Sequence, residues 1–161
     1  MTPAPTGRLV PTDSGRDLVL VRTLPVPSTD VWAAFTRPEV TGRWFATWSG
    51  EPGPGSTVRA TLTGEEGAEA DIHVTACDPP RHLAVSSEDG EAAWDLEVWL
   101  EDDDGGTRLT FVQHLDAETD IGSIGPGWEY YLDRLGAVLQ ETPEPAFEDY
   151  YPADREYYER L

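Results

Sequence analysis

Seven aromatic residues and one amide are the side chains here best suited to holding a ligand. Trp44, Phe45, Trp48, Trp94, Phe111, Trp128 and Tyr131 are large and flat, and Gln113 is polar among apolar neighbours. Ligand pockets are mostly apolar, with a few placed polar groups. These eight residues are therefore the candidate lining of a hydrophobic cavity. The competing reading is a filled core, because aromatic side chains also dominate core energetics. Gln113 falls on the inward side of an alternating strand, between Phe111 and Leu115. A buried amide without partners costs about 1–3 kcal/mol, so it needs a backbone, water or ligand partner.

The rest of the reactive inventory points to no reaction. His73, His82 and His114 have no metal-ligand spacing. His73 and His114 read as outer-face residues, and His82 sits in a proline-marked turn. Cys77 reads as a small buried thiol at a strand end, since nothing near it supports a nucleophile pair. Glu129 and Asp133, four apart on a helix, read as solvated. Arg22 and Arg59 lie on strands of uncertain facing, and either could meet a carboxylate ligand in the cavity. No catalytic residue, metal site or cofactor is expected.

The elements that would position the aromatics follow from periodicity. Arg16–Leu24 is a Leu/Val-dense strand ended by Pro25 and Pro27. Ser28 is placed to cap a short helix over about 29–36, with Val31, Trp32 and Phe35 on one face. Pro38 opens a second short helix ending near Gly42. Four alternating segments then follow, at 57–63, 68–77, 92–101 and 107–115, with a further strand near 83–87. Period-2 alternation predicts antiparallel sheet with one covered face. After a Gly-rich loop, Trp128, Tyr131, Leu132, Leu135 and Leu139 form the apolar stripe of a long helix over 127–140. The expected fold is α+β, with a curved antiparallel sheet of about six or seven strands, two short helices and a long C-terminal helix. Residues 1–15 read as a mobile lead-in, 16–140 as the domain, and 141–161 as an acidic Tyr-rich tail docked on it.

The chain has 161 residues, 31 acids and 11 bases, for a net charge of −20. All the bases are Arg; Lys and Asn are absent. Such a balance disfavours nucleic acid and anionic membrane as partners, because both need clustered cations. Codon bias or a halophilic surface would each account for it. No apolar run approaches the ~20 residues of a membrane span. With one cysteine, a reducing, cytoplasmic setting is expected.

Four blocks, in order, resemble the activator of Hsp90 ATPase homologue type of the START-like, Bet v 1-like superfamily. They are the Pro27–Trp44 block, Asp78–Leu83, Gly105–Thr110, and Gly127-Trp128 with Leu132–Leu135. The resemblance spans about residues 17–140 and implies a helix-grip fold. It implies hydrophobic ligands held between helix and sheet, and in some relatives cyclase or dehydratase activity. The namesake's separate N-terminal domain has no counterpart here, so an Hsp90 interaction is not expected. A protein-interaction role remains a third expectation, from the acidic surface and the Tyr-rich tail.

Overall fold

The computed structural model describes residues 5–50, 53, 55–62, 69–87 and 94–161. Eight strands form one antiparallel sheet: β1 (Arg8–Pro11), β2 (Arg16–Leu24), β3 (Ala46–Ser49), β4 (Thr57–Leu62), β5 (Glu69–Asp78), β6 (His82–Ser87), β7 (Trp94–Asp103) and β8 (Gly106–Leu115). Their order across the sheet is β1-β2-β8-β7-β6-β5-β4-β3. Helices α1 (Ser28–Thr36) and α2 (Pro38–Trp44) link β2 to β3, and α3 (Ile121–Gln140) follows β8. The long α3 and the two short helices cover one face, which gives the helix-grip fold.

The strand count exceeds the expected six or seven because both edges carry a four-residue strand. β1 arises within the segment read as a mobile lead-in, paired to β2 from Arg8↔Val19 to Pro11↔Arg16. β3 follows Trp44 and pairs with β4, setting Trp48 opposite Ala60. Four residues are too few for alternation to declare itself.

The long helix starts six residues earlier than its apolar stripe suggests. Asp120 caps it, its side chain accepting from Gly122 N–H at 2.9 Å. Tertiary contact then carries the helix through Gly122, Gly125 and Pro126. A Cβ at Gly125 would lie 2.3 Å from the Tyr158 ring, so glycine permits that ring to seat against the helix. Ser28 is not a cap: it is the first residue of α1, its N-cap is Pro27, and its hydroxyl donates to Asp102 instead.

Beyond α3, a 3₁₀ turn (Phe147–Asp149) and a short helix α4 (Arg155–Glu159) bring Tyr150 and Tyr158 into fully buried positions. Tyr158 accepts from Gly7 N–H, while Tyr157 donates to the Gly7 carbonyl at 2.8 Å. The two ends of the chain thus clasp each other over α3. Glu129, expected to be solvated, is 1% exposed beneath this clasp. Arg22 Nη2 donates to Glu129 at 2.7 Å and Arg22 Nε to Asp133 at 2.8 Å. Thr6 adds backbone and hydroxyl donors to Glu129, and Tyr150 donates to Asp133. A buried carboxylate persists only when paired and hydrogen-bonded, as here. Burial, followed by Asp133 beside its hydroxyl, pushes Tyr150 well above the usual tyrosine range.

Candidate functional site

A cavity of about 140 Å³ opens between the covered face of the sheet and the short helices. Its aromatic end is built by Phe35 on α1, Trp44 and Phe45 at the end of α2, Trp48 on β3, Phe111 on β8 and Trp128 on α3. The aliphatic wall comes from inward positions of the central strands: Val58, Ala60, Ile72, Val74, Leu83, Val85, Leu96 and Val98. Gly53, Ala46, Thr36, Thr41 and Cys77 complete the described lining. No Asp, Glu, Arg or His lines it among the described residues.

Five of the six rings pack on one another. Phe35 meets Trp44 edge-on at 5.0 Å, and Phe111 lies 4.4 Å from Trp128. Phe45 sits 5.5 Å from Trp128 and packs edge-on against Tyr131 at 5.3 Å. The polar tips are anchored too. The Trp44 indole donates to the Ala34 carbonyl at 2.8 Å, and the Trp128 indole donates to Gln113 Oε1 at 2.7 Å. Gln113 is 4% exposed, and its partner is this indole. An amide orienting a tryptophan explains its position without a ligand. Thus Trp44, Phe45, Trp48, Phe111 and Trp128 line the cavity. Gln113 and Tyr131 are absent from the lining and brace Trp128 and Phe45 from behind. The side chain of Trp94 lies outside the described residues.

Cys77 reaches the cavity because of a shift in register. Simple alternation from Ala70 puts Ala76 inward and Cys77 outward. The β5–β6 pairing instead shifts between Val74 and Ala76. An extra residue in one strand exchanges the faces of everything after it. Cys77 therefore faces the cavity with its cross-strand partner Leu83.

The arginines proposed as cavity cations serve elsewhere. Arg22 neutralises Glu129 and Asp133 under the chain-end clasp, and Arg59 pairs with Asp71 and Glu69. The histidines lie away from the cavity. His73 Nδ1 is 2.8 Å from the Thr57 hydroxyl. His82 opens β6 rather than sitting in the turn, and stacks on Trp99 at 3.6 Å. Glu97 bridges His82 at 2.9 Å and His114 at 2.6 Å, and His114 reaches Asp17 with its other nitrogen at 2.6 Å. Desolvation would lower His114, but hydrogen bonds to Asp17 and Glu97 outweigh it and raise its pKa. Desolvation would likewise raise Glu97, but hydrogen bonds from His114 and His82 outweigh it and hold the carboxyl below its usual range. The row is an ion-pair strap across β6, β7, β8 and β2. No group of three or more His, Cys, Asp or Glu among the described residues is placed to hold a metal ion.

The family model for activator of Hsp90 ATPase homolog 1-like protein matches residues 25–140. The chain belongs to this family. CalU16 from Micromonospora echinospora is a structural neighbour at 27% identity, with a TM-score of 0.76, covering 98% of this chain and 95% of its own. The protein of gene BPP1335 from Bordetella parapertussis is 26% identical, with a TM-score of 0.73, and covers 100% and 94%. Protein EF2215 from Enterococcus faecalis shares the fold at 18% identity and a TM-score of 0.76, over 96% and 88%. No curated protein matches the sequence. No helix among the described residues is long and apolar enough to cross a membrane.

Proposed function

We propose that this family member binds a small hydrophobic molecule in the cavity beneath α2 and α3, and that it does so without catalysing a reaction on it. The observation that carries the reading is the lining itself: six aromatic residues and a mainly aliphatic wall around a space of about 140 Å³. An apolar cavity of ~150 Å³ in another protein stays dry and takes up benzene, so this space suits a ring-sized group.

Cyclase or dehydratase chemistry is disfavoured. It requires a base, an acid or an oxyanion donor within reach of the substrate. The described lining offers no carboxylate, imidazole or guanidinium. An Hsp90 interaction forms no part of the reading.

Thermal-shift screening against single-ring aromatics and short-chain lipids tests the proposal. Saturable stabilisation by at least one compound is expected, and should weaken when Ala60→Leu fills part of the cavity. A uniformly flat response to every compound removes the proposal.

A further inference from the structure

The acidic, Tyr-rich end of the chain carries an aromatic platform that the cavity does not use. Phe147 is 44% exposed. Its ring stacks on Tyr151 at 6.0 Å and meets Tyr130 of α3 edge-on at 5.4 Å. Tyr130 in turn meets the buried Tyr150 at 5.8 Å, and Tyr150 donates to Asp133 at 2.8 Å. The platform is thus anchored on α3 at its base and open to solvent at Phe147. A guanidinium already rests on it. Arg134 Cζ lies 6.0 Å from the centre of the Tyr130 ring, and Arg134 Nε donates to Glu144 at 3.4 Å. Glu148 and Asp149, both exposed, follow Phe147 directly in the 3₁₀ turn. Residues 141–161 hold seven acids against two arginines.

We propose that the face formed by Phe147, Glu148, Asp149 and Tyr151 docks an arginine-bearing segment of a partner protein. A clustered, exposed aromatic patch marks an interaction surface more often than a scattered ring does. Its chemistry suits a guanidinium, which stacks on rings, pairs with carboxylates and sheds water more readily than an ammonium. Arg134 on Tyr130, with Glu144 as its anion, is the same arrangement made within the chain. The net charge of −20 adds long-range attraction for a cationic partner and repels an anionic one. A lysine segment would meet the same charge but a weaker ring contact, so arginine is preferred. The family match ends at residue 140, before Phe147.

The test titrates the intact chain with two blocked glycine peptides of equal charge, one carrying two arginines and the other two lysines. Backbone amide NMR signals of Phe147, Glu148 and Tyr151 are followed at low salt. Saturable shifts centred on these residues are expected, with the arginine peptide tighter by about 2–5-fold, the scale of one exposed cation–π contact. Phe147→Ala, at an exposed position, should bring that ratio towards one. Glu148→Gln with Asp149→Asn should weaken both peptides while the ratio holds, which separates charge from ring contact. Equal affinity for the two peptides, or an arginine preference that survives Phe147→Ala, overturns the proposal. So do shifts spread over the other acidic surfaces, or none at all. Concentration-dependent shifts of the same amides without peptide would assign the face to a second copy of the chain, and also overturn it.

Discussion

Replacing Ala60 by leucine tests whether the cavity is real space or slack that the core has closed. Ala60 is buried, lies on β4 opposite Trp48, and lines the cavity. Leucine adds three carbons at a position bordering about 140 Å³ of open volume. At ~0.8 kcal/mol per buried carbon the transfer gain is about 2.4 kcal/mol. Fixing the leucine rotamer returns ~0.5–1 kcal/mol. A net stabilisation of about 1.5 kcal/mol is expected, or roughly 3–6 °C in Tm for a domain of this length. Urea unfolding at constant m is the assay, because a shift in midpoint alone then reports stability. The same variant should bind phenol more weakly than the parent, since the side chain occupies the ligand's space. A collapsed site would give the opposite sign, because overpacking a filled core costs about 1–3 kcal/mol. Destabilisation of Ala60→Leu with unchanged ligand affinity would refute the reasoning.

Other consequences are as direct. Arg22→Ala strands Glu129 without its cation and should destabilise by about 3–5 kcal/mol in urea unfolding. In the outer strap, the raised pKa of His114 means its contribution is complete below about pH 6.5 and is lost as pH rises through the higher folded value. Glu97, held low, contributes above about pH 4.3 and loses that contribution as pH falls through its folded value. Stability should therefore peak between these limits, and His114→Gln should flatten the alkaline side of the profile measured by thermal unfolding. Asp154 is buried with Oδ2 unpartnered, and burial, then Glu129 and Asp133, raises its pKa. An elevated carboxyl favours the fold when protonated and disfavours it as pH rises. Asp154→Asn should accordingly raise Tm by roughly 2–4 °C at pH 8, the effect of ~1 kcal/mol, and by less at pH 5.

Where one physical signal dominates, the sequence reports the structure closely. Arg16–Leu24 is legible to the residue, because apolar density and two flanking prolines define it. The inward positions Val58, Ile72, Val74, Leu96, Val98 and Phe111 follow from alternation alone, and five of the eight candidate ligand residues line one cavity. Where partners are remote, the reading fails. Glu129 looks solvated on a helical wheel, because the arginine that permits its burial lies 107 residues away. The first turns of α3 look like a loop because Gly and Pro disfavour helix, and only Tyr158 and the Asp120 cap reverse that. Cys77 needs the β5 irregularity, which no composition announces. The strap linking His82, Glu97, His114 and Asp17 depends on the register of four strands, and spacing along one chain does not encode it.

The central claim is that ligand enters the space beneath α2 and α3. An ¹⁵N-edited NMR titration of the tryptophan indoles with phenol tests it most directly. Trp44, Trp48 and Trp128 line the cavity, whereas Trp99 lies on the far face of the sheet, 45% exposed and stacked on His82. The account predicts saturable shifts at Trp44, Trp48 and Trp128 with Trp99 unmoved. Saturable shifts confined to Trp99, or none at the three cavity tryptophans up to the solubility limit of phenol, would contradict it.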